Sequence, residues 1–221
     1  PNDYKGLNRA IFLANPNAPT GMILSVRDIE EIVKTNPNNV VIVDEAYIDF
    51  GGESAVDLVR KYDNILIVRT YSKSRSLAGG RLGFSIGSRE LTGDLRKLKY
   101  STNPYNINRL TLLAGEACLY DEMYYKENCQ RIIENREYTS TELLKIGFEV
   151  LPSMTNFVFV KSDKISGETL TAKLKENGIL VRHFSKDRIK DYVRVSIGTM
   201  EQMKAFLSEV RYILEREEKK R

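Results

Sequence analysis

The stretch from Ile65 to Arg81 reads I-L-I-V-R-T-Y-S-K-S-R-S-L-A-G-G-R. A short β-branched apolar run passes at once into hydroxyls and a lysine, with an arginine eight residues beyond the lysine. Two runs of the same kind lie upstream: A-I-F-L-A over Ala10 to Ala14, and V-V-I-V over Val40 to Val43. Continuous apolar runs of this length are expected of strands buried on both faces. Between the first two, Ser25 reads as an N-cap with Asp28 three residues on. Ile29, Ile32 and Val33 then recur at helical spacing before the N-P-N-N break at 36–39. Strand, helix, strand, short helix, strand predicts an α/β fold with a mostly parallel sheet. Ligands of such sheets gather beyond the carboxyl ends of the strands, where Asn15, Asp44 and Thr70 to Lys73 stand.

Downstream, Asn106 to Ile146 reads as helical, either one long helix or two joined near Asp121. Leu110, Leu113, Ala117 and Tyr120 form one stripe, and Glu127, Arg131 and Glu134 are interleaved. After Gly147 the pattern predicts a smaller α+β domain. Its strands are expected at Phe148 to Leu151, Asn156 to Val160, Ile179 to Arg182 and Tyr192 to Ile197, with helices at Gly167 to Asn177 and from Met200 onward. The division expected is therefore 1–105, a connecting helical segment 106–146, and 147–221. The terminal E-R-E-E-K-K-R reads as a solvated helix end.

Composition narrows the chemistry. With 221 residues, 42% hydrophobic and 29% charged, 14 Gly and 6 Pro, the chain is far from collagenous, low-complexity or disulfide-scaffold limits. The 34 basic and 30 acidic residues give +4 and are interspersed, which implies no nucleic-acid surface but leaves small anions open as ligands. In one helix, Cys118 and Cys129 would lie roughly 16 Å apart, too far to bridge, as expected in a reducing compartment. A single histidine, His183, excludes a multi-histidine metal centre, and no metal is expected; a loop or strand end suits it. Neither an apolar stretch of membrane-spanning length nor a signal-peptide pattern is present, so the expected address is the cytoplasm, with no membrane partner. Pro1 stands almost directly before the first strand, which suggests residues upstream.

Three clusters carry chemistry. N-P-N-A-P-T-G, Asn15 to Gly21, mixes turn formers with amides suited to a loop or to a ligand. D-E-A-Y, Asp44 to Tyr47, sets a carboxylate and a phenol three residues apart at a strand end, where an aspartate equally serves as a cap. The third is the Arg69 to Arg81 block, whose hydroxyls, amides and guanidinium make a phosphate cradle. It is not a Walker loop, and no G-x-G-x-x-G occurs, so nucleotide binding is disfavoured. An amine-bearing lysine, a carboxylate, a phenol and a phosphate anchor in one crevice match pyridoxal phosphate. Lysine forms its Schiff base, and the carboxylate pairs with the pyridinium nitrogen.

In this order the blocks resemble the cofactor site of the fold type I aminotransferases. From about Ile11 to the last helix, the chain is similar to the central and C-terminal parts of the histidinol-phosphate aminotransferase family; S-K-x-x-x-L-A-G-x-R is the most specific segment. The resemblance implies that Lys73 is the Schiff-base lysine and proton shuttle, Asp44 the partner of the ring nitrogen, and Tyr47 the donor to the ring hydroxyl oxygen. Thr70, Ser72 and Arg81 would hold the cofactor phosphate. The family places an asparagine directly before P-T-G, where Ala18 stands here; either Asn17 reaches the ring from one residue away, or Tyr47 holds that oxygen alone.

For the substrate, the resemblance makes Arg194 the fork on the carboxylate, Arg182 the contact to the substrate phosphate, and Asn156 a further pocket residue. Independently, a charge on the predicted strand around Arg194 is costly to bury unless it faces solvent or meets an anion. The implied protein is a cytoplasmic homodimer moving an amino group between glutamate or 2-oxoglutarate and histidinol phosphate or imidazole-acetol phosphate. The alternatives are an aromatic-amino-acid aminotransferase, a threonine-phosphate decarboxylase, or a non-catalytic fragment. The family's phosphate-binding loop, ring-stacking aromatic and first strands would lie upstream of Pro1. A sheet without them is expected to expose an unpaired edge and apolar surface, favouring aggregation or unusual oligomers.

Overall fold

The computed structural model of the protein describes residues 1–219 and divides into two compact units. The first contains 1–17 and 23–128, the second 18–22 and 129–221. Lys220 and Arg221, the end of the charged terminal run, lie outside the described residues.

The first unit is built on a four-stranded sheet of β1 (Ile11–Ala14), β2 (Val41–Asp44), β3 (Ile65–Thr70) and β4 (Gly83–Gly87), in that order. β1, β2 and β3 are parallel and β4 is antiparallel to β3. Helix α1 (Val26–Thr35) forms the first crossover. The Ser25 hydroxyl accepts from the Asp28 amide, so the cap read from sequence is made. Between β2 and β3 the chain takes two 3-10 turns, Ile48–Phe50 and Val56–Arg60, rather than an α-helix.

Ile29, Ile32 and Val33 of α1, with Ala55 and Leu58, pack on Ile11, Leu13, Val41, Val43, Ile65 and Ile67. Each such aliphatic side chain contributes roughly 1.5–3 kcal/mol by burial. The expectation of strands buried on both faces holds only for the first half of β3. In β1 and β2 burial alternates, and Phe12 is 62% exposed, because α1 and the second 3-10 turn cover a single face.

β4 and α2 (Arg89–Thr102), capped by the Ser88 hydroxyl, were not foreseen from the sequence. The helical stretch beyond them is two helices, α3 (Arg109–Tyr120) and α4 (Glu122–Lys145), broken at Asp121. The two cysteines therefore sit on different helices, and both are free. The α3 stripe faces outward: Leu110, Leu113 and Tyr120 are exposed, while Thr111 and Gly115 are buried. Gly115 lies against the side chains of Leu82 and Tyr71, where a β-carbon would collide with Leu82, so seating of the Leu82 side chain on the helix backbone, and not the leucine pattern, sets the orientation of this helix.

The second unit is an antiparallel sheet of β5 (Phe148–Val150), β6 (Phe157–Ser162), β8 (Val193–Ser196) and β7 (Arg182–His183), in that spatial order. Pairing at β7 is confined to two residues, so Ile179 to Val181 are not strand; His183 sits at the strand end, as read. Helices α5 (Gly167–Glu176) and α6 (Met200–Glu218) cover one face with the end of α4, through Leu143, Leu170, Leu174, Phe206, Leu207 and Val210. Thr199 and Gln202 close a full capping box at the start of α6. No helix among the described residues is long and apolar enough to cross a membrane.

The short segment 18–22 belongs to this second unit. The Met154 amide donates to the Gly21 carbonyl at 2.9 Å. Gly21 has φ +81°, and a β-carbon there would stand 2.5 Å from Ser153 Oγ. Gly21→Ala therefore combines left-handed strain with overpacking and is expected to destabilise the protein by about 1–3 kcal/mol, read as a lower urea midpoint. A midpoint equal to that of the parent would show that the Ser153 loop yields freely.

Candidate active site

Each parallel strand of the first unit ends in a residue singled out from sequence, and their fates differ. Asn15, after β1, is buried. Its side-chain oxygen accepts from the Leu24 amide at 2.7 Å and its NH2 donates to the Leu24 carbonyl at 3.2 Å. That amide clasps the base of the 15–24 loop and is spent on structure.

At the ends of β2 and β3 a cavity of about 400 Å³ opens, lined by Asp44, Ala46, Thr70, Ser72, Lys73 and Arg81 among others. This size lies in the range of small-molecule sites. Asp44 is half-buried, and its Oδ1 accepts from the Ala46 amide at 3.0 Å, so one carboxylate oxygen holds the turn and the other is left over. Lys73 is exposed and has no carboxylate partner among the described residues; its Nζ stands 5.2 Å from the centre of the Tyr47 ring. A cation over a phenol face is held by the ring quadrupole without being neutralised.

Thr70 Oγ1 accepts from the Ser72 amide at 3.0 Å and donates to the Leu82 carbonyl at 3.4 Å, which shapes the turn carrying Ser72 and Lys73. Ser72's own hydroxyl has no partner among the described residues. Arg81 has φ +53° and donates to the Ala78 carbonyl at 3.2 Å, leaving most of its guanidinium free. Asn17, between the cis peptides at Pro16 and Pro19 and half-buried, is not among the lining residues.

Sequence reading missed what lies behind this wall. Glu45, next to Asp44, is a fully buried carboxylate. Its Oε1 accepts from the Ala55 amide at 2.7 Å, and its Oε2 accepts from Ser54 Oγ at 2.8 Å and from Arg69 Nε at 3.0 Å. Arg69 reaches on to Asp49 Oδ1 at 3.3 Å, and Ser74 Oγ donates to the other Asp49 oxygen. The available signal was opposite charge at neighbouring strand ends, since the pairing of Asp44 with Val68 puts Glu45 beside Arg69.

The three remaining residues singled out from sequence lie in the second unit. Arg182 of β7 and Arg194 of β8 are paired residues in the ladder, so two cations share one face of the sheet. Like charges opposite each other are destabilising unless something anionic meets them. Neither has an ion-pair partner among the described residues, and Arg194 Nε is buried without a hydrogen bond. The Arg194 guanidinium lies 5.0 Å from the Phe157 ring centre and 5.9 Å from that of Phe184. On the same face Tyr192 stacks on Phe159 at 4.7 Å and donates to Glu149 Oε1 at 2.7 Å. Burial first, and then that bond, raises the phenol pKa. Asn156, at the entry to β6, is anchored through its carbonyl, which accepts from the Ile197 amide at 2.9 Å. The loop before it is held by buried Arg136, whose Nη1 donates to the Thr155 carbonyl at 2.8 Å. Burial lowers the pKa of this guanidinium.

A lysine amine, a carboxylate and hydroxyls at the ends of parallel strands, in the order read from the sequence, define a class of protein. The chain belongs to the family of class I and II aminotransferases, whose model matches residues 2–210. Among its relatives, the histidinol-phosphate aminotransferase of Brachyspira hyodysenteriae is 51% identical over 214 residues, 96% of this chain and 60% of that protein. Among solved structures, the histidinol-phosphate aminotransferase from Clostridium acetobutylicum superposes with a TM-score of 0.86 at 28% identity, over 95% of this chain and 64% of that one. The enzyme from Sinorhizobium meliloti, solved in complex with pyridoxal-5'-phosphate, gives a TM-score of 0.83 at 23% identity, over 95% and 58%. The chain thus spans about 60% of the length of the curated relatives it matches.

Proposed function

We propose that this chain carries the cofactor lysine and the substrate arginines of a pyridoxal-phosphate-dependent aminotransferase that acts on histidinol phosphate and imidazole-acetol phosphate, with glutamate and 2-oxoglutarate as the other pair. The observation that carries the reading is one cavity lined by an unpaired lysine amine, a half-engaged carboxylate, a free serine hydroxyl and a largely free arginine. That donor set fits a ligand bearing an aldehyde, a basic ring nitrogen and a phosphate. The likeness to histidinol-phosphate aminotransferases, at 51% identity, supports the substrate. Pyridoxal phosphate, when bound, supplies an aldehyde that accepts amines and a ring that withdraws electrons from them.

The protein's residues do the rest. Lys73 Nζ would be the amine that holds the cofactor aldehyde, with loss of water, and, once a substrate amine has displaced it, the base for the proton of the substrate α-carbon. The free Asp44 oxygen would face the cofactor's ring nitrogen, where a carboxylate favours the protonated ring. Tyr47 donates to the ring hydroxyl oxygen, with Asn17 as the further candidate. Ser72, Thr70 and Arg81 hold the phosphate. Arg194 forks onto the substrate carboxylate, Arg182 meets the substrate phosphate, and Asn156 lines the pocket. A cytoplasmic homodimer is part of the same reading.

The test is incubation of the purified chain with pyridoxal phosphate, then borohydride reduction and peptide mapping. The expected result is modification chiefly at Lys73, well above any other lysine; modification spread evenly over surface lysines would refute the cofactor site. Arg182→Ala is expected to weaken histidinol phosphate by about 1.5–3 kcal/mol, the worth of a hydrogen bond to a charged group, and to leave histidinol unchanged by calorimetry. Equal weakening of both would remove Arg182 from the phosphate.

A further inference from the structure

The charged network that runs back from Arg69 in the cavity wall has a feature that ordinary core packing does not need: its members stand beside residues assigned to the cofactor along the chain. Glu45 follows Asp44, Arg69 precedes Thr70, and Ser74 follows Lys73. The four network side chains nevertheless form one continuous path, Glu45 to Arg69 to Asp49 to Ser74. This path adds a side-chain tie to the backbone ladder of β2 and β3 and carries it on to the turn after β3.

We propose that Ser74, Asp49 and Arg69 are positioning residues that set where Lys73 Nζ stands relative to Asp44, acting through the hydrogen bond from Ser74 to Asp49. The inference rests on the reading of Lys73 as the cofactor lysine. Lys73 needs such a device because nothing else on its side chain fixes it: it is exposed, without a carboxylate partner among the described residues, and rests only on the Tyr47 ring. Its turn is a loop closed by two backbone bonds, from the Ser76 amide to the Lys73 carbonyl at 3.1 Å and from the Leu77 amide to the Tyr71 carbonyl at 3.0 Å. Ser74 is the buried residue inside that loop, and its hydroxyl is anchored by Asp49, which lies on the 3-10 turn following Tyr47. Arg69 holds Asp49 from the other side and is itself fixed by buried Glu45. A displacement of the turn is therefore resisted through these side chains as well as by the loop's own two backbone bonds. Misplacing a reacting group by about an ångström costs up to about a hundredfold in rate, so a modest loosening is measurable.

The experiment compares the parent chain with Ser74→Ala, Asp49→Asn and Ser74→Thr in two readouts. In the first, the rate of pyridoxal phosphate and borohydride labelling at Lys73 is measured against Lys161 of the second unit in the same sample. In both Ser74→Ala and Asp49→Asn the Lys73 to Lys161 ratio is expected to fall about tenfold with unchanged circular dichroism, and Ser74→Thr, which keeps the hydroxyl, is expected to restore it. An unchanged ratio in both variants, or a loss that Ser74→Thr does not repair, overturns the proposal. The second readout needs no cofactor: hydrogen exchange at the Ser76 and Leu77 amides is expected to quicken in the two variants while the amides of β1 and β2 keep their rates. If the parent takes no label on Lys73, the cofactor reading fails by itself. The positioning role then stands or falls on the exchange at Ser76 and Leu77, and unchanged rates there overturn it.

Discussion

Lys73→Ala is expected to abolish covalent capture of pyridoxal phosphate and to leave the fold intact. Wherever this site supports turnover, it lowers the rate by at least about 10²–10⁴-fold, the contribution of a positioned proton-transfer group. The two halves of this expectation have separate physical grounds. Lys73 is exposed and has no ion pair, so removing its side chain changes unfolding free energy by no more than about 0.5 kcal/mol, as for surface positions generally. Its amine is the side-chain nitrogen on the cavity wall suited to form a carbon–nitrogen bond and later carry a proton, because the other cations of that wall, Arg69 and Arg81, are guanidiniums. Lys73→Arg keeps the charge over Tyr47 yet is expected to fail equally, which separates chemistry from electrostatics. Spectral titration with pyridoxal phosphate, borohydride mapping and urea unfolding of both variants check this. Retention of a specific reducible adduct in either variant would move the site to another lysine.

How far the sequence discloses this depends on how local each feature is. Asp44, Ser72 and Lys73 were legible because each sits within a few residues of a strand end, and the topology of a parallel sheet brings such ends together. The Ser25 cap and the α1 face were legible for the same reason, as three-residue and helical spacings. Features set by distant residues were not. Phe12 and Ile11 are indistinguishable as members of an apolar run, and only the side on which α1 packs decides which of them is buried. The outward stripe of α3 reads as a core face until Gly115 is seen to bring its opposite side against Leu82. Asn15 reads from the sequence as a loop former or a ligand-binding amide, and its partner, Leu24, nine residues away across the loop, decides for the loop. The placement of 18–22 with the second unit depends on Gly21 meeting Ser153 and Met154, more than a hundred residues on, a contact that periodicity cannot encode.

The second large effect falls on stability. Glu45→Ala is expected to destabilise the protein by up to about 3–5 kcal/mol, because it leaves a desolvated amide unanswered and a largely buried guanidinium with only Asp49 and Ser54. Glu45 is fully buried and Arg69 is 21% exposed, so the pair is shielded from water and salt in a way that Lys97 and Asp94, an exposed pair on α2, are not. The figure concerns breaking the pair and not the worth of having it, since an ion pair taken out of water repays its desolvation only when every lone pair is met. Here the Ala55 amide, Ser54 Oγ and Arg69 together meet both Glu45 oxygens, so the pair is near the favourable limit. Removing both charges in Glu45→Leu with Arg69→Met should therefore cost less than the sum of the two single replacements, with a coupling of about 1–3 kcal/mol. Urea unfolding of the four proteins closes this cycle. Additive losses would mean that Glu45 and Arg69 are held by their other partners, Ala55, Ser54 and Asp49, and that the strand ends of β2 and β3 are not joined through charge.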